Sequence, residues 1–91
     1  MATSYYFAHN GFTPEKYKEA LRQLDAAGFG APEGRTLHVA LENDGMIQVF
    51  DIWESQEKFE AFGETLMPIL SGLEVELTPP MTAPVHNVIE G

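Results

Sequence analysis

One dipeptide, Asp44-Gly45, constrains this chain more than any other feature. It separates Thr36 to Glu42 from Met46 to Trp53, and a two-residue Asp-Gly loop between alternating apolar segments is the strongest short-range hairpin signal a sequence offers. With Asp44 and Gly45 as the turn, Leu37 faces Ile52, Val39 faces Phe50 and Leu41 faces Gln48 across one side of the hairpin. The other side then pairs Thr36 with Trp53, His38 with Asp51, Ala40 with Val49 and Glu42 with Ile47. A loop longer by one residue would move every side chain to the opposite face and scramble both patterns.

The flanking segments complete a short list of elements. Thr3 to His9 is rich in aromatic residues and ends at Asn10-Gly11, the pattern of a first strand and a turn. Thr13-Pro14-Glu15 supplies a capping hydroxyl, a proline at the first helical position and an early acid. Tyr17, Ala20, Leu21 and Leu24 then recur at helical spacing, and Gly28 is placed for a left-handed C-cap. Ser55 caps a second helix with Phe59, Phe62, Leu66 and Leu70 on one stripe, and Pro68 is expected to end or kink it near Met67. Leu73, Val75 and Leu77 alternate as a short strand or extended arm, and Val85 to Ile89 reads as the last strand, starting at an edge after Pro84.

Strand, helix, strand, strand, helix, strand is the ferredoxin-like β-α-β-β-α-β order, an α+β fold. Right-handed crossovers place both helices on one face of a four-stranded antiparallel sheet. Residues 1–91 are read as a single domain. At 10.1 kDa its accessible surface should fall from about 14,600 to roughly 5,300 Å² on folding, which is a thin core. Leu37, Val39, Phe50 and Ile52 would remain on the face without helices, too apolar a patch to leave in water. A second copy of the same sheet, making a homodimer, is the simplest cover.

Composition removes several classes of function. Fourteen acidic residues against five scattered basic ones give a net charge of −9, so no nucleic-acid partner is expected. There is no cysteine for a disulfide, a thiolate nucleophile or a zinc-thiolate site. No apolar run reaches the length of a membrane span and the N-terminus does not read as a signal peptide, so a cytoplasmic protein without a membrane partner is expected. His9, His38 and His86 fall on three different strands with no metal-ligand spacing, and no metal is expected.

His38 opposite Asp51 is the most informative pair. Opposed residues bring Cβ atoms within about 5 Å, so the carboxylate can orient the imidazole as a general base, with Trp53 on the same face. The competing reading is a buried polar pair that satisfies itself within the sheet.

The element order, the Asp51-Ile-Trp-Glu-Ser55 run, the Phe-rich helix from Glu57 to Leu70 and the closing Pro84-Val-His-Asn-Val-Ile89 together resemble the dimeric α/β-barrel superfamily. The likeness is to small proteins related to antibiotic biosynthesis monooxygenases, in a subgroup of stand-alone proteins of unassigned activity. It implies two sheets closing into a shared barrel and one small pocket per subunit between sheet and helices. Trp53, Tyr17, Phe62 and His86 are expected to contact a substrate in that pocket, with His38 and Asp51 as the catalytic pair.

Relatives that oxidise polycyclic phenols without a cofactor use Asn, Trp, Tyr and Arg. Here Trp53 matches by position, Val49 stands where the Asn is wanted, and no arginine follows Arg35. Haem-degrading relatives use an Asn, a Trp and a helical His; Asn10 and Trp53 are loosely placed, but no helical His follows Trp53. No cofactor is therefore expected. The leading expectation is a homodimer binding a small apolar or aromatic molecule. The alternative is a cofactor-independent monooxygenase, isomerase or cyclase acting on an aromatic or polyketide-like compound.

Overall fold

The computed structural model describes residues 2–91. In chain order the elements are β1 (Thr3–Phe7), α1 (Pro14–Ala26), β2 (Arg35–Asn43), β3 (Met46–Trp53), α2 (Gln56–Gly72) and β4 (Met81–Pro84). The strands make one antiparallel sheet in the order β2-β3-β1-β4, with two helices packed on it: a ferredoxin-like α+β fold.

The hairpin turn has φ of 53° at Asp44 and 78° at Gly45, the two left-handed residues that a tight turn matched to strand twist requires. From that turn the register pairs Val39 with Phe50, His38 with Asp51 and Leu37 with Ile52. Beyond Leu37 the expected register fails. Arg35, not Thr36, faces Trp53, because a bulge at Thr36 inserts one unpaired residue into β2. The Thr36 hydroxyl donates to the Ile52 carbonyl at 3.3 Å, and the bulge turns Arg35 toward the helices.

Thr13 caps α1, its hydroxyl accepting from the Lys16 N–H, and Ser55 does the same for α2 through Lys58. Gly28, at φ 86°, ends α1, where Phe29 N–H donates to Leu24 O at 2.7 Å and Gly28 N–H to Asp25 O at 3.0 Å.

Along the second half, two expectations that left alternatives open are narrowed and one is corrected. The helix does not end at Pro68 but runs on to Gly72. Pro68 is exposed, so the carbonyl that loses its partner there can meet water instead. Leu73 to Leu77 forms no strand and contributes one bridge, Asn10 with Glu76. The last strand is Met81–Pro84 rather than Val85 to Ile89, its ladder with β1 running from Met81 opposite Tyr6 to Pro84 opposite Thr3.

The core lies between the helices and the inner face of the sheet. Trp53 is fully buried, its ring 5.2 Å from that of Phe62, and Tyr5 stacks on Phe59 at 3.8 Å. Such a side chain contributes about 1.5–3 kcal/mol by leaving water. The outer face has no such cover: Leu37, Val39 and Leu41 are 42%, 37% and 48% exposed. The accessible surface of 5900 Å² exceeds the roughly 5,300 Å² expected for a folded monomer of this mass.

Candidate functional site

Alternation along β3 sends Asp51 and Trp53 to the inner face together, and the register sets His38 directly across from Asp51. The His38 and Asp51 side chains are 22% and 6% exposed, with Nδ1 of the ring 2.6 Å from Asp51 Oδ1. The second carboxylate oxygen, Oδ2, accepts from the Trp53 indole N–H at 3.3 Å. From α1, Tyr17 brings its hydroxyl to 2.7 Å from His38 Nε2, the two ring planes only 6° apart.

A carboxylate only accepts, so Nδ1 of His38 carries a hydrogen, and in the neutral ring Nε2 is then the acceptor for the Tyr17 O–H. The result is a continuous line, Tyr17 O–H to His38, His38 N–H to Asp51, anchored by Trp53. Burial raises the Tyr17 hydroxyl above its ordinary 10.0, against the opposing pull of Arg35 and with the Asp51 charge adding to the rise. Tyr17 therefore keeps its proton at neutral pH.

The line borders a cavity of about 50 Å³ whose walls include Tyr17, His38, Asp51, Phe12 and Phe62. At about 10–15 Å³ for each water position it has room for roughly four waters, and it is smaller than the ~150 Å³ of a cavity known to hold benzene. A ring-sized guest requires the walls to part. Leu21 of α1 lines the cavity and is exposed to solvent.

Tyr17, His38, Asp51 and Phe62 thus come together as the sequence reading placed them. Trp53 and His86 do not line this cavity. Trp53 lies behind Asp51, fully buried, and holds the carboxylate instead of forming a wall. His86 is exposed and lines a separate groove over the outer face with Leu37, Phe50 and Ile52, because the chain leaves β4 at Pro84 on that side. Among the described residues, no group of three or more His, Asp or Glu side chains could hold a metal ion.

No protein-family model matches the chain, and no curated protein matches it significantly. Solved structures that share its fold include the following two. One is the crystal structure of NE2512, a protein of unknown function from Nitrosomonas europaea, with a TM-score of 0.62 at 14% identity over 99% of this chain and 92% of that one. The other is SnoaB, a cofactor-independent oxygenase from Streptomyces nogalater, with a TM-score of 0.61 at 14% identity over 99% of this chain and 96% of its own. At that identity the likeness shows the fold alone, and it agrees with the fold implied by the sequence resemblance.

Two polar cavity residues lay outside the sequence reading of the site. Arg35 lines the cavity, its guanidinium 5.9 Å above the Phe62 ring, only because the bulge at Thr36 re-aims it. Nothing in the local sequence announces that bulge. His9 was legible in principle, since it continues the inward alternation of Tyr5 and Phe7, and it is 5% exposed. Its ring packs 5.4 Å from Phe7 and 6.3 Å from Phe12, and burial lowers its pKa below the ordinary 6.5.

Proposed function

We propose that the chain binds a small, mostly apolar molecule carrying an acidic O–H or C–H in the inner cavity, and that Tyr17, His38 and Asp51 move its proton. The observation that carries this reading is the unbroken hydrogen-bonded line at the cavity wall, 2.7 Å and then 2.6 Å long in its two steps. In the forward direction the Tyr17 oxygen takes the ligand's proton while its own passes to His38 Nε2. The imidazolium so formed is paired with Asp51, and the ligand is left as an enolate or phenolate. Arg35, also at the cavity, offsets part of the new negative charge. No step requires a metal or an organic cofactor.

The anion then decides the reaction class. Returning the proton to a different atom makes an isomerase or cyclase, and capture of dioxygen by the anion makes a cofactor-independent oxygenase, which is what the fold neighbour SnoaB is. The cavity volume argues against a polycyclic guest, since even a single ring requires the walls to part. The test is a binding screen by NMR with small phenols and enolisable ketones. The resonances of Tyr17, His38 and Phe62 are expected to shift saturably while those of His86 stay still; shifts confined to His86 and its groove would move the ligand to the outer face.

We further propose a cytoplasmic homodimer formed through the outer face. Its support is the exposed apolar row Leu37, Val39 and Leu41. Sedimentation is expected to give about twice 10.1 kDa, and a monomer at micromolar concentration would remove the dimer from the account. Among the described residues, no helix is long and apolar enough to cross a membrane.

A further inference from the structure

His9 is buried, borders the cavity and takes no part in the Tyr17–His38–Asp51 line. One of its nitrogens is already committed. The backbone N–H of Thr78 donates to His9 Nδ1 at 3.0 Å, with the Thr78 hydroxyl 3.2 Å from the same atom. A nitrogen that accepts from a backbone N–H carries no hydrogen of its own, so in the neutral ring the proton sits on Nε2. Burial lowers the His9 pKa and keeps the ring in that neutral form at pH 7.

Nε2 makes no hydrogen bond with any described residue, whereas the one enclosed side-chain atom left wholly without a partner is Tyr5 Oη. The His9 Nε2 is therefore not sealed in protein, and His9 is one of the residues that line the cavity. It sits in an apolar setting, flanked by Phe7 and Phe12, where a hydrogen bond is stronger than in water. Phe12 also packs edge-on against Tyr17 at 5.8 Å, so His9 and the Tyr17 end of the line flank the same ring. The cavity accordingly has two unlike ends. At Tyr17 the hydroxyl hydrogen is engaged by His38 and the oxygen can receive a proton; at His9 a fixed neutral N–H can only donate.

We infer that His9 Nε2 is a ligand-binding donor that receives a carbonyl or phenolic oxygen, so that the cavity selects compounds with such an oxygen beside the acidic hydrogen. This rests on the proton-transfer reading above and narrows its substrate class to phenols and enolisable carbonyl compounds. The negative charge that develops on the ligand oxygen as the proton leaves would strengthen the same hydrogen bond.

Two probes of one shape test it, cyclopentanone and its hydrocarbon analogue methylenecyclopentane, titrated by NMR into wild-type protein and into His9→Leu. The variant is expected to weaken cyclopentanone roughly two- to tenfold relative to methylenecyclopentane, the size of one neutral hydrogen bond. Equal changes for both probes overturn the His9 assignment and leave the cavity reading standing. If neither probe binds wild type, the cavity reading itself fails, and the inference with it. Because His9→Leu also strands the Thr78 N–H and could impair folding, a second measurement uses wild type alone. Nitrogen-15 spectra of the His9 ring are expected to show a bare Nδ1, a protonated Nε2 and a shift of Nε2 on adding cyclopentanone. A proton on Nδ1, or an Nε2 that ignores bound ketone, overturns the proposal.

Discussion

Along β3 alternate residues meet opposite surroundings. Val49, Asp51 and Trp53 lie under the helices with every polar atom of Asp51 engaged, while Gln48 and Phe50 face outward beside the exposed Leu37, Val39 and Leu41 of β2. The inner face carries a charge and buries it; the outer face is apolar and leaves it in water. Burying Asp51 costs free energy that its hydrogen bonds with His38 and Trp53 offset. The outer face has the composition of an interface and no polar group arranged for a reaction.

The contrast can be broken most forcefully at Trp53. Trp53→Ala should remove about 3–5 kcal/mol of stability, because the ring is fully enclosed and its loss leaves both a void and an unsatisfied Asp51 Oδ2. Urea unfolding measures it, and a loss below about 1 kcal/mol would mean that the inner face is not packed as described. Asp51→Ala comes next, at about 3 kcal/mol, since it strands the His38 and Trp53 N–H donors. Tyr17→Phe should cost only about 1 kcal/mol, one hydrogen bond, while abolishing the shift of His38 resonances on ligand addition.

On the outer face the expectation reverses. Leu41→Lys should change monomer stability by less than about 0.5 kcal/mol, yet convert the proposed dimer to a monomer in sedimentation. Unchanged mass would leave that face unpartnered at Leu41. The smallest effect is a pH dependence from His9. Its folded pKa lies below the ordinary 6.5, so as pH falls the unfolded chain takes up the proton first. That contribution is complete above about pH 6.5 and is lost as pH falls through the folded pKa. Urea midpoints followed from pH 8 to 5 should therefore decline, and decline less in His9→Gln.

The sequence carried the fold because its strongest signals are local. The Asp44-Gly45 turn sets the pairing of His38 with Asp51, and Thr13 and Ser55 start the helices by capping their own first turns. What it could not carry depends on partners distant in the chain. The end of β4 depends on its pairing with β1, and the inward turn of Arg35 on the bulge at Thr36. Pro68 misleads for a related reason: its effect on α2 depends on whether the freed carbonyl meets water, which only the packed helix reveals. At the site, opposition of His38 and Asp51 was readable, whereas the hydrogen bond that joins Tyr17 to the pair required the distance between α1 and β2.

Deuterium incorporation from D2O into small enolisable ketones tests the central claim most directly. The account predicts that wild type accelerates exchange at the carbon beside the carbonyl by about a hundredfold or more over buffer, and that folded His38→Asn and Tyr17→Phe lose most of that acceleration. Exchange at the buffer rate with wild type, or an unchanged rate in folded His38→Asn, would contradict it and leave the inner line of hydrogen bonds as a structural feature of the core.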